Sequence, residues 1–246
     1  TSTTRGGATE REREKRGRRS GSRTSDFPLA RLTRTRCPFS EAYRTLRTNL
    51  DLTSHEGEGR CVVVTSPGPQ EGKTCVAVNL AISVAGVGLK TLLLEGDLRR
   101  ARLHHVFHIP ARPGLVDYLA DSTTLNGHIR PTNITNLWVL PRGSRAANPT
   151  ELLHSEVLAQ LLEELRRDFD LIVIDTPPML TVADASALSP LADGYLMVLR
   201  ARRTPREAAI EAIKQLQMVH GRILGAVLND VNPRDRAYRY YHLEYK

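Results

Sequence analysis

Short apolar runs, rich in Val, Ile and Leu and scarcely broken by polar residues, recur along the chain, and between them lie longer stretches whose apolar positions fall three and four apart. The runs suit strands covered on both faces, and the longer stretches suit helices with one covered face. The pattern predicts helix 40–50, strand 61–65, helix 73–86, strand 91–95, a short helix near 102–107, strand 137–140 and helix 150–167. It continues with strand 171–175, a helix near 184–190, strand 194–200, helix 205–219 and strand 223–229. Asn148-Pro149-Thr150 supplies a turn and a helix start, and Gly221 ends the last helix before the final strand.

Strands alternating with helices place the chain in the α/β class, with a mostly parallel sheet and helices on both faces. The 246 residues can hold one such domain of roughly 200 residues with tails. The expected organisation is a basic segment over 1–36, a folded body over 37–232 and a C-terminal tail over 233–246. Residues 1–25, low in aromatics and rich in Arg, Ser, Thr, Gly and Glu, cannot bury enough apolar area to offset the entropy of ordering, so disorder is expected there. The chain begins at Thr1, as a processed form or a piece of a longer polypeptide would.

Charge changes the picture only once it is located. The formal charge is +8, but residues 1–36 hold eleven Lys/Arg against four Asp/Glu, which leaves the remainder at +1. That distribution does not require a basic face on the body, and it disfavours a sequence-specific reader of nucleic acid. No apolar run reaches the ~18–20 residues of a membrane span, and the N-terminus is too polar for a signal peptide. The basic segment either lies against an anionic leaflet as a juxtamembrane linker or is simply solvated. Cys37, Cys61 and Cys75 lack metal-ligand spacing and fit a reducing compartment, with Cys75 an expected oxidation-sensitive thiol. His104, His105 and His108 have no Cys or Asp pattern framing them, which argues against a metal site.

The candidate chemistry begins at Cys61, where a β-branched run empties into Pro67-Gly68-Pro69-Gln70-Glu71-Gly72-Lys73-Thr74-Cys75. A Gly/Pro loop that ends in Gly-Lys-Thr and opens a helix points successive backbone N–H groups at an anion, and the helix dipole faces the same phosphates. Residues Gly68 through Cys75 are therefore the candidate nucleotide-binding loop, with Lys73 reaching the β/γ-phosphates and Thr74 holding magnesium. The loop is a variant, because Pro67 stands where the full pattern has its first Gly. Two further strands end in acids, one in Glu95-Gly96-Asp97-Leu98-Arg99 and one in Asp175-Thr176-Pro177-Pro178. Any one such acid could be a turn or helix cap. Three segments together deliver phosphate donors and carboxylates to the C-terminal edge of one sheet, where ligands of open α/β sheets bind.

These motifs resemble the bacterial tyrosine kinases of exopolysaccharide and capsule export, a P-loop family unrelated to eukaryotic kinases. The loop through Thr74 resembles the family's Walker A, residues 92–99 its Walker A′, and residues 172–178 its Walker B. Glu41-Ala42-Tyr43-Arg44-Thr45-Leu46-Arg47 is similar to the family's E-x-x-R-x-x-R oligomerisation motif, although the spacing of three also describes a solvated helix face with its own ion pair. Four of the seven tyrosines, Tyr238, Tyr240, Tyr241 and Tyr245, fall in the last nine residues.

The resemblance implies a P-loop NTPase fold of the deviant-Walker kind, ATP and Mg2+ as cofactors, and autophosphorylation of the tail tyrosines in trans within a ring-shaped homo-oligomer joined through Glu41, Arg44 and Arg47. It implies catalytic roles for Lys73, Glu95, Asp97 and Asp175, magnesium ligation by Thr74, Asp97 and Asp175, and Asn229 near the adenine. It further implies a cytoplasmic location at the inner face of the plasma membrane, with a transmembrane chain-length regulator, in the same or a separate chain, and a cognate tyrosine phosphatase as partners; the charge distribution adds the expectation of no nucleic acid. Glu95 departs from the family's Asp, which leaves a weak or regulatory kinase, or a nucleotide-binding scaffold, in view. A positioning or partitioning ATPase of the related deviant-Walker group is the other alternative, but its signature lysine would stand at Gly68.

Overall fold

The computed structural model describes residues 38–52, 59–120 and 124–232. The basic segment, Cys37 and the tail tyrosines lie outside the described residues.

Eight helices and seven strands are described: α1 (Pro38–Leu52), β1 (Arg60–Thr65), α2 (Lys73–Ala85), β2 (Thr91–Glu95), α3 (Leu103–Phe107), α4 (Leu115–Ala120), β3 (Arg130–Pro131), β4 (Leu137–Leu140), α5 (Pro149–Leu153), α6 (Glu156–Asp168), β5 (Leu171–Asp175), α7 (Asp184–Ala187), β6 (Gly194–Arg200), α8 (Arg206–Met218) and β7 (Ile223–Asn229). The strands form one sheet in the order β3-β4-β2-β5-β1-β6-β7. Every pairing is parallel except β3 with β4.

Alternation along the central strands builds two cores, one on each face. Val62, Val64, Leu93, Val173, Leu196 and Val198 face a layer that includes Val76, Leu80 and Val84 of α2. Cys61, Val63, Leu92, Leu94, Ile172 and Ile174 face the other layer, with Leu158, Leu161, Leu162 and Leu165 of α6. Both faces of these strands are therefore dry, the condition under which uninterrupted apolar runs form parallel strands.

The expected elements are present, with four differences. Helix 150–167 is two helices, because Ser155 leaves helical geometry and caps α6 by accepting from the Leu158 N–H. The helix near 184–190 ends at Ala187. Helix α4 and the two-residue strand β3 had not been anticipated; α4 is short and starts after Pro113-Gly114, and β3 is an antiparallel edge too brief for a periodic signal.

Candidate active site

Strand order decides what meets at the sheet's C-terminal edge. β1 lies between β5 and β6, and β5 lies between β1 and β2. The loop after β1 thus opens beside Asp175 at the end of β5, and the Asp97 turn follows β2 on the far side. Val64 and Glu95 are the register partners of Asp175 on either flank.

The loop itself is closely tied down. Gly72 sits at φ +97°, and a Cβ there would come within 2.0 Å of the Asn229 Nδ2. Only glycine fits both the left-handed backbone and that approach. Ser66 Oγ donates to the Gly68 carbonyl (2.6 Å), and Asn229 Nδ2 donates to the Glu71 carbonyl (2.9 Å). Beyond the loop, α2 begins at Lys73, so its first-turn N–H groups have no intrahelical acceptor and face the same crevice.

Lys73 is only 8% exposed. Burial lowers its pKa, and Asp175, Asp97 and Glu71 push back by favouring the ammonium. Asp175 is 2% exposed; burial pushes its carboxyl up to about 7, opposed by a hydrogen bond from Thr74 and the charge of Lys73, and reinforced by the nearby charges of Asp97 and Glu95. Its Oδ1 is buried without a hydrogen-bond partner. A buried acceptor of that kind is costly unless something fills it. Asp97 is half-buried and accepts through Oδ1 from the Arg99 and Arg100 N–H groups, at 3.2 and 2.9 Å.

These residues fit magnesium. Mg2+ takes one or two protein carboxylates and completes its shell with water and substrate phosphate; Asp175 with its unpartnered oxygen, Thr74 and Asp97 supply that set. Among the described residues no group of three or more His, Cys, Asp or Glu is placed to hold a metal by itself.

Glu95 is placed differently. Its Oε1 accepts from the Arg102 and Leu103 N–H groups, the latter at 2.8 Å, and its Oε2 accepts from the Arg142 N–H at 2.9 Å. Any metal or proton handling by Glu95 has to share the carboxylate with these three amides. The longer acid bridges the start of α3 and the turn after β4.

Arg99 is committed to another carboxylate. Its guanidinium is bidentate to Asp184, with Nε to Oδ2 at 2.8 Å, and Thr150 Oγ1 donates to Asp184 Oδ1 at 2.5 Å. Asp184 and Thr150 escaped sequence reasoning as members of the site; each lies at a turn or helix start, with no local signal of its partner.

Glu41 and Arg44 form an exposed pair at 2.5 Å, and Arg47 donates to the Ser83 carbonyl at 2.8 Å near the end of α2. On the same helix Tyr43, 6% exposed, lies beside Cys75 and Asn79 on the first turns of α2. Burial raises the Cys75 pKa. This corrects the expectation of an oxidation-sensitive thiol, because the reactive thiolate is disfavoured.

An AAA-domain family model matches residues 67–227. The tyrosine-protein kinase YwqD of Bacillus subtilis strain 168 is 37% identical over 190 residues, covering 77% of this chain and 80% of that protein. The kinase domain of the Escherichia coli tyrosine kinase ETK superposes with a TM-score of 0.76 at 35% identity, over 79% of this chain and 76% of that one. The septum site-determining protein MinD of Pyrococcus horikoshii, solved with Mg-ADP, matches at 25% identity with a TM-score of 0.62, over 72% of this chain and 73% of that one.

Proposed function

The chain belongs to the bacterial tyrosine kinases, and from that membership we propose that it transfers the γ-phosphoryl group of Mg-ATP to its own tail tyrosines, Tyr238, Tyr240, Tyr241 and Tyr245, in trans within a homo-oligomer. The observation that carries this reading is the Asp175 carboxylate, buried beside Lys73 and Thr74 with one oxygen unpartnered.

In the transfer, a bond forms between a tyrosine oxygen and the γ-phosphorus, the bond to the ADP oxygen breaks, and the tyrosine proton passes to a carboxylate of the site. Mg2+, when bound, supplies charge neutralisation across the phosphates. Lys73 supplies a second, fixed positive charge in a desolvated setting where it counts for more than in water. Thr74 and Asp175 would hold the metal. Asp97, half-buried in the turn after β2, would serve the metal or the incoming hydroxyl, and the loop from Gly68 to Cys75 would orient the phosphates. Tyrosine ionises near pH 10, so alignment and an acceptor for its proton supply much of the rate.

The same reading places the chain at the inner face of the plasma membrane, working with a transmembrane chain-length regulator and a tyrosine phosphatase in exopolysaccharide or capsule export. Each phosphate adds about −1.5 to −2 at neutral pH, so phosphorylated tails crowded in one assembly repel and weaken it. A second reading, an ATPase without phosphotransfer, is favoured by the likeness to MinD.

The test is intact-mass and peptide mass spectrometry after phosphatase treatment and incubation with Mg-ATP, with Lys73→Met alongside. Phosphate on residues 238–245 in the unaltered protein only is the expected result. ADP formation without phosphotyrosine would replace this reading with the ATPase.

A further inference from the structure

A phosphate-binding loop that carries a carboxylate faces an electrostatic problem: the acid at Glu71 is one residue from Gly72 and two from Lys73, where polyanionic phosphates are to sit. The structure shows where that charge goes. Glu71 is 5% exposed, and each of its oxygens has a specific donor. Oε2 accepts from the Gly68 N–H at 3.0 Å, inside the loop, and Oε1 accepts from the Thr204 hydroxyl at 2.6 Å. Thr204 lies between β6 and α8, and its own oxygen accepts from the Arg200 N–H at 2.7 Å.

The neighbouring residue is held from the same side. Arg203 donates to the Gln70 Oε1 at 2.9 Å, and Arg200 donates to the Gln70 carbonyl at 3.1 Å while pairing with Asp230. With Asn229 on the Glu71 carbonyl, the ends of β6 and β7 clasp the loop from outside as the Glu71 carboxylate spans it from inside.

We propose that Glu71 is a positioning residue: through Gly68 and Thr204 it holds the variant Pro67-Gly68 loop in its anion-binding shape and thereby sets the affinity for nucleotide phosphates, without touching the reacting atoms. Pro67 has no N–H to give, and the Gly68 N–H is taken by the carboxylate, so the loop's inner curvature is set by a side chain. Two opposed effects act on the bound phosphates, repulsion by the Glu71 charge and preorganisation of the loop. The proposal is that preorganisation wins.

This inference rests on the nucleotide site proposed above, and its test separates the two. Mg-ADP affinity by calorimetry and, in parallel, KM for ATP and kcat of autophosphorylation are measured for the unaltered chain, Glu71→Ala, Glu71→Gln, Thr204→Val and Thr204→Ser, with circular dichroism confirming the fold. The charged hydrogen bonds lost in Glu71→Ala predict affinity weakened about tenfold or more. The loss should appear in KM, with kcat within about threefold. Glu71→Gln, which can still accept from Gly68, and Thr204→Ser should restore most of it, and Thr204→Val should follow the alanine variant. Tighter nucleotide binding in Glu71→Ala and Glu71→Gln would show that repulsion dominates and overturn the proposal. So would a loss confined to kcat, or a Glu71→Ala affinity matching the unaltered chain. Should the unaltered chain bind Mg-ADP yet form no phosphotyrosine, the kinase reading fails and the affinity series still decides the role of Glu71.

Discussion

The Arg99 guanidinium lies bidentate on Asp184, 2.8 Å from Nε to Oδ2, with the acid completely buried and the arginine side chain 41% exposed. Thr150 Oγ1 adds a third donor to the same carboxylate. The turn that carries Asp97 is thereby joined to the first turns of α5 and α7.

Removing the cation should cost more than neutralising the acid. Arg99→Ala leaves a buried carboxylate facing Thr150 without its counter-charge. The arginine's partial exposure places the loss at the low end for such pairs, about 2 kcal/mol, or roughly 4–8 °C in melting temperature for a domain of this size. Asp184→Asn keeps the shape and should cost less. Thermal unfolding of the two variants checks the order, and equal stability in both would show that the charge is not what matters.

Asp175 should give the nucleotide-free protein a specific pH signature. Burial raises this acid from the usual 3.8 to about 7 in the folded state. Between those values the folded chain binds more protons than the unfolded one, so the Asp175 contribution to stability falls as pH rises from about 4 to about 7 and then levels. The melting temperature of the unaltered chain, relative to Asp175→Asn, should therefore decline across that window. A constant difference would refute the shift. Addition of Mg-ADP should release protons below pH 7, read as a buffer-dependent binding enthalpy.

Gly72→Ala should weaken Mg-ADP binding about tenfold or more. A left-handed backbone costs a residue with a Cβ roughly 1–2 kcal/mol, and the Asn229 amide adds a direct clash. Asn229→Ala in the same chain removes the clash and leaves the backbone penalty, so the double variant should bind better than the sum of the singles predicts. Strict additivity would mean that Asn229 does not press on this position.

The two described thiols should be poorly reactive in the folded chain. Burial pushes Cys61 up to about 12 and raises Cys75 as well, so at pH 7.5 Cys61 is thiolate in less than about one molecule in ten thousand. In a Cys37→Ser background, iodoacetamide should label Cys61 only after denaturation and Cys75 slowly. Rapid labelling of Cys75 in the folded protein would show that the α1 cover over it opens.

The strands and the phosphate loop were legible in the sequence because both faces of a parallel sheet are dry and because Gly72-Lys73-Thr74 carries its chemistry in consecutive residues. Ser155 was not read as a break, since the leucines of α5 and α6 keep a helical spacing on either side of it. Asp97 and Asp175 could be placed together from strand ends alone. The partners of Glu71, Glu95 and Arg99 could not: Thr204, Arg142 and Asp184 are 133, 47 and 85 positions away, and nothing local marks them. Glu95 shows the limit most clearly, because the sequence reveals its extra methylene and only the fold shows the three amides within its reach.

Helix α1 meets α2 at two points, with Tyr43 packed beside Cys75 and Asn79 toward the start of α2 and Arg47 at the Ser83 carbonyl toward its end. Two attachments fix a direction as well as a position, so α1 runs along α2 at a set angle. The exposed Glu41-Arg44 side of α1 is thereby held in register with the helix that opens at Lys73 and Thr74.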